Sequence, residues 1–248
     1  MGVKLQGSYF TVLALTVWLI YTADHLLDSF PAGDKSASSI HQFFYKYKIP
    51  VFLVFLMGVV FDYRLVMHSL EPKFIQFGIA LGGATAIYLL LNRYYGKGPR
   101  IFFIKEVWIS LIYSIAIWGG PIIEVGDKIN IPQGFLLFSF GLLIFSNVLI
   151  CSFFDRETDS REGLRSFALD FGEGLTMKLS IIAAGMAIII AFIAYFKFTV
   201  NGIPVLVLIL IGTGYLAIMV WRDLFTNAER YTTLANLLLL LSFLAITW

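Results

Sequence analysis

Charge is scarce in this chain. Of its 248 residues only 14% are Asp, Glu, Lys or Arg, 59% are hydrophobic, and mean hydropathy is +0.84. A water-soluble domain carries roughly a quarter charged residues, so a soluble globular fold is excluded. Cysteine is nearly absent as well. The single Cys151 lies inside an apolar run, which leaves no internal disulfide and no indication of redox compartment. A small-x-small cleavage pattern is missing after the first apolar stretch, Tyr9 to Tyr21. That stretch runs directly into Asp24 and Asp28, so it is expected to be a retained span and not a removed signal peptide. The formal net charge of +2 provides no strong basic field, and no nucleic-acid partner is expected.

Long apolar runs fill the rest of the chain. A membrane-crossing helix needs about 20 mostly apolar residues. Eight stretches qualify: Ser8–Leu27, Ile49–Met67, Phe74–Asn92, Val107–Ile123, Phe135–Phe154, Met177–Phe196, Ile203–Trp221 and Tyr231–Trp248. They are too long and too continuous for strands of a barrel. The expected fold is an all-α polytopic transmembrane bundle, one domain over residues 1–248. Pro50, Pro72, Pro132 and Pro204 lie near span starts, where a missing N–H is tolerated. Gly78 and Gly82 form a small-x-x-x-small step, expected to pack against another helix. The loop Ser29–Lys48 has room for a short interfacial helix around His41–Lys46.

Cations are unevenly placed. Thirteen of the 18 Lys and Arg fall on the side reached by the ends of odd-numbered spans. By the positive-inside rule that side is cytoplasmic, with both termini outside, as in an inner or plasma membrane protein.

Two acid pairs stand out against this background: Asp24 with Asp28, and Asp155 with Asp159. Each follows an apolar span, and the i, i+4 spacing puts both carboxylates of a pair on one helical face. Like charges at that spacing repel, and Asp24 and Asp28 also sit at the disfavoured carboxyl end of a helix dipole. A compensating cation is the natural remedy. Mg²⁺ fits, because it takes a few carboxylates and then coordinates phosphate and water. Four spans separate the pairs, so both emerge on the same face. The bland alternative is a set of solvated loop acids. Around the second pair, Arg161 and Arg165 can fork onto phosphate oxygens, or make surface ion pairs of little value. Asn147, on the same helix face as Cys151 and Asp155, can reach a polar cavity or bond a neighbouring helix. His25 reads as facing the cytoplasmic interface in preference to serving as a general base, His41 as interfacial and His68 as an outer-side boundary residue; Glu157 and Glu162 read as solvated, and Tyr113 and Trp118 as aromatic lining or lipid contact in preference to stacking on an acceptor ring.

The run from Phe154 through Asp155, Asp159, Gly163, Arg165, Ser166, Phe171 and Gly172 resembles the second aspartate motif of the UbiA-type intramembrane prenyltransferase superfamily. Asp24 and Asp28 resemble the last two acids of that family's first motif. Lys105 resembles its phosphate-contacting lysine. The leading Asn-Asp of the first motif is replaced by Ile20 and Tyr21, and one span precedes the motif where the family, with nine helices, usually has two. The resemblance implies an isoprenoid diphosphate donor bound through Mg²⁺ at Asp24, Asp28, Asp155 and Asp159, with Lys105, Arg161 and Arg165 on the diphosphate. It implies transfer of the prenyl group to a lipophilic, aromatic acceptor within the bilayer, on the cytoplasmic face. Two other functions are compatible with the same residues. One is a lipid-diphosphate binding or carrier protein without turnover. The other is an ion-coupled transporter using the acids as its cation site.

Overall fold

A computed structural model describes residues 7–32, 39–95, 105–126, 130–163, 165–198, 202–222 and 228–241. The chain is an all-α polytopic membrane bundle, and no strand occurs among the described residues. Its helices in order are α1 (Gly7–Ala32), α2 (Ser39–Lys46), α3 (Lys48–Ser69), α4 (Pro72–Tyr95), α5 (Lys105–Val125), α6 (Ile131–Phe154), α7 (Arg156–Glu162), α8 (Phe167–Phe171), α9 (Glu173–Phe198), α10 (Gly202–Val220) and α11 (Ala228–Leu240). Seven of them, α1, α3, α4, α5, α6, α9 and α10, are long and apolar enough to cross a membrane. The eighth expected span begins in α11, whose described part is 13 residues. The end of that span lies outside the described residues.

The tightest packing is between α6 and α9, and small residues explain it. Ala183, Ala184, Ala187, Ala191 and Ala194 make a buried stripe along α9 that lets the two backbones approach. Hydroxyls add cross-links: Ser139 Oγ donates to Ala187 O at 2.8 Å and Ser146 Oγ to Ser180 O at 3.0 Å. Helix α10 and Tyr231, Ala235 and Leu239 of α11 complete this core. Asn130 starts α6 with a reciprocal capping box to Gln133, and Pro132 occupies the first turn.

The other half is looser. Helix α3 packs on α1 and buries none of its own residues, while α4 packs on α5. Small residues and a proline in α5 let α1 dock closely on it. Pro121 cannot donate to the preceding turn, and Gly119 and Gly120 leave room for the rings of Phe77 and Tyr9. The Tyr9 hydroxyl enters the helical ladder itself. It accepts from Gly120 N at 3.0 Å and lies 3.4 Å from Ala116 O. Near the same end Lys73 of α4 pairs with Glu124 of α5 at 2.7 Å.

Candidate functional site

Between α1, α3, α4 and α5 lies a cavity of about 560 Å³, whose wall is mostly hydrocarbon. It runs from Tyr9 and Phe74 near one end of the bundle to Asp24 and Lys105 at the other. Gly78 and Gly82 line it, and a Cβ added at either meets no described atom within 4 Å. The expectation that this glycine step packs a helix is therefore corrected. The missing side chains widen the cavity. Tyr113 also lines it, whereas Trp118 is buried against Phe140.

At the Asp24 end, the second acid motif folds as two short helices held by glycines. Asp155 closes α6 and opens α7, and its carbonyl accepts from Asp159 N at 2.8 Å, so the two acids are one turn apart. Gly163 ends α7 at φ 68° and Gly172 ends α8 at φ 87°. A residue with a Cβ is strained in that region, which explains why the motif needs glycine at both places. The start of α8 is fastened to two spans. Phe167 N donates to Glu106 Oε1 of α5 at 2.6 Å, and Ala168 N to Ser152 Oγ of α6 at 3.0 Å. Glu106 is buried and was not singled out from sequence.

The acids come to one end of the bundle. Tyr21 of α1 is within electrostatic range of Asp24, Cys151 and Asp155, so it bridges α1 to the end of α6. Lys105 is the node of the group. It lines the cavity with Asp24 and is within electrostatic range of Asp159 and of His25. Burial pushes the Asp159 carboxyl above the ordinary carboxylate range. Lys105 and Ser166 pull it back, and Glu106 and Glu162 add to the rise. Ser166 sits beside Asp159, but its buried Oγ completes no hydrogen bond of good geometry. Asp28 lies on α1 one turn beyond Asp24, and its side chain is outside the described residues.

Other expected site residues are placed elsewhere. Arg165 grips Asp170, with Nη2 at 2.9 Å from both carboxylate oxygens. Arg161 is 71% exposed and lies 3.7 Å from Glu157. Asn147 donates to Asn236 of α11 at 3.2 Å and accepts from Cys151. Of its two readings the helix–helix bond holds, and it does not line the cavity. Glu162 was expected in solvent. Instead its side chain is 3% exposed and lies 2.5 Å from His41 Nδ1 of α2. His25 packs on Tyr21 at a ring distance of 4.1 Å and on Phe44 at 5.2 Å. Together these contacts tie α2 to α1 and α7 at the Asp24 end. Mid-way down the cavity, Asp62 of α3 accepts from Thr16 Oγ1 at 3.0 Å. The signal for it was available, since an acid inside an apolar span is a functional candidate by default.

No three His, Cys, Asp or Glu among the described residues converge closely enough to cage a metal ion. The donor set still suits Mg²⁺, which is commonly held by one or two carboxylates with substrate phosphate and water completing its shell. Asp24 and Asp155 are both within electrostatic range of Tyr21. Comparison with protein-family models, curated proteins and solved structures finds no match.

Proposed function

We propose that this chain transfers a prenyl group from an isoprenoid diphosphate to a lipophilic acceptor inside the membrane. The observation that carries this reading is the cavity's polarity. One end holds Asp24 and Lys105, with Asp155 and Asp159 close by, and the remainder is nearly all hydrocarbon. An amphiphile with a compact anionic head and a long apolar tail matches that gradient. Each methylene buried in the cavity contributes about 0.8 kcal/mol.

In this reading one or two carboxylates of the set Asp24, Asp28, Asp155 and Asp159 would hold Mg²⁺, which would supply charge neutralisation of the diphosphate when bound. Lys105 contacts the diphosphate and opposes the negative charge that grows there as the allylic C–O bond breaks. The electron pair leaves with the diphosphate. The acceptor's carbon forms the new C–C bond and then loses its proton to solvent or released diphosphate. The apolar cavity wall excludes water, which would otherwise capture the prenyl group. Arg161 and Arg165, implied by the family resemblance, are engaged away from the cavity, so Lys105 takes the larger share of the diphosphate. The active face is the cytoplasmic one in this proposal.

The test is transfer of label from prenyl diphosphate into a lipid-extractable product by the purified full chain with Mg²⁺. Asp155→Ala is expected to abolish it, and an unchanged rate would remove Asp155 from the site. The Arg165–Asp170 fork and the lack of a three-ligand cage among the described residues favour one second reading: a lipid-diphosphate binding protein without turnover. That protein would bind the diphosphate in a Mg²⁺-dependent way and release it unchanged.

A further inference from the structure

Helix α2 divides its surface three ways. On one side His41 is buried against Glu162 of α7, and Phe44 packs on His25 of α1. On a second side Gln42 and Lys46, one turn apart, are exposed. Ile40, Phe43 and Tyr47 fall at i, i+3 and i+7 on a third, and all three are exposed as well. Tyr47 belongs to this row because its N–H donates to Phe43 O at 2.9 Å, which carries the helical turn through the link to α3.

The position of the third side says what covers it. Helix α2 crosses the end of α1, between α3 and α7, where the spans stop. Its exposed row continues into Ile49, Phe52 and Leu53 of α3, a span that buries none of its own residues and so presents them to lipid. A soluble partner would have to reach a face that runs on into the bilayer. Two cations frame the row. Lys46 Nζ stands 5.3 Å from the ring centre of Tyr47, and Lys48 Nζ 4.5 Å from that of Tyr45. The chain carries no Asp or Glu from Ser39 to Phe61, and Glu162 meets α2 on its buried side. Lysines beside tyrosines at a span end reach the headgroup layer. We infer that α2 is a membrane-surface anchor, with Ile40, Phe43 and Tyr47 among the acyl chains and Lys46 and Lys48 on the headgroups of anionic phospholipids. A neutral leaflet satisfies the apolar row alone. Each lysine at an anionic surface adds a preference of about fivefold. The anchor touches the second acid motif through His41 and Glu162, but it rests on α2 and needs no transfer activity.

The experiment uses the full chain in phospholipid vesicles, with Cys151→Ala and one new thiol, Phe43→Cys or Gln42→Cys, labelled with bimane. Both positions are exposed, so neither label enters the core. Quenching by phosphatidylglycerol and by phosphatidylcholine, each spin-labelled on an acyl chain, is compared with quenching by aqueous iodide in phosphatidylcholine vesicles. At position 43 the lipid quenchers should dominate, with phosphatidylglycerol favoured about fivefold or more. At position 42 iodide should dominate. Lys46→Gln combined with Lys48→Gln should bring the two lipids to within about twofold of each other and leave the label at position 43 in lipid. A label at position 43 that iodide reaches and lipid does not would overturn the anchor. So would a label shielded from both, which would mean that a protein covers the row. Equal quenching by the two lipids in the native background, or a preference that survives the double lysine change, would overturn the recognition of anionic headgroups.

Discussion

Gly82→Leu should convert the cavity from a long-chain site to a short-chain one. Gly82 faces open space, with no described atom within 4 Å of an added Cβ, so the variant meets no packing barrier. Exchanging a mid-helix glycine for leucine also favours the helix by about 1 kcal/mol. Stability should therefore hold or rise slightly. The new side chain takes the room of about four methylene-sized groups, six residues along α4 from Tyr88, or about 9 Å. At about 0.8 kcal/mol per methylene displaced, a tail that reaches this depth loses about 3 kcal/mol, on the order of a hundredfold in affinity. A tail too short to reach it loses nothing. The assay is a ladder of prenyl diphosphates of rising length, bound to native and variant chains with Mg²⁺, beside a thermal melt. A uniform loss at every length would refute the cavity as the tail site. A large fall in melting temperature would refute the open space around Gly82.

Three further outcomes follow from the same geometry. Lys105→Ala should weaken Mg²⁺-dependent diphosphate binding by about tenfold or more, the scale of one charge-assisted contact, whereas Arg165→Ala should leave binding intact and lower the melting temperature because its fork holds Asp170; titration with both variants separates the roles. Tyr9→Phe removes the hydroxyl that accepts from Gly120 N–H and reaches toward Ala116 C=O, and should destabilise by about 1 kcal/mol in denaturant unfolding; an unchanged stability would show the contact to be idle. Asp159 has a carboxyl pKa raised on folding, so without Mg²⁺ it favours the folded state at acid pH, and that contribution is lost as pH rises through the folded value. Asp159→Asn should then raise the melting temperature at pH 7 and leave it unchanged below the ordinary carboxylate pKa; a melting temperature lowered at pH 7 would show the ionised acid to be stabilising.

Hydropathy was enough to read the bundle. Seven expected spans coincide with long apolar helices, because a backbone in hydrocarbon has no alternative to satisfying itself within each segment. The short helix expected in Ser29–Lys48 is α2, and span parity correctly brings Asp24 and Asp155 to one end. The same logic failed for Gly78 and Gly82. A small-x-x-x-small step marks a surface without side chains, and its spacing does not say whether another helix or a void occupies that surface. The neighbouring sequence carries no such information, since the void is created by the distance between α1 and α4, two helices joined through others.

The site was legible only where chemistry and backbone geometry agree. Gly163 and Gly172 hold positive φ, so the glycines in the motif report a fold of the chain as well as a composition. Arg161 and Arg165 have no such constraint. Arg161 lies in α7 and Arg165 in the link that leads to α8, whose start is fastened to Glu106 and Ser152; Arg165 meets Asp170 there, and Arg161 is left exposed. The residue types suited phosphate, but direction in a short segment depends on what the segment is fastened to. Asp62 shows the converse. It belongs to no motif, yet its cost inside a span follows from solvation alone and does not depend on register. Diphosphate binding that survives Arg165→Ala and fails in Lys105→Ala is the result this geometry requires.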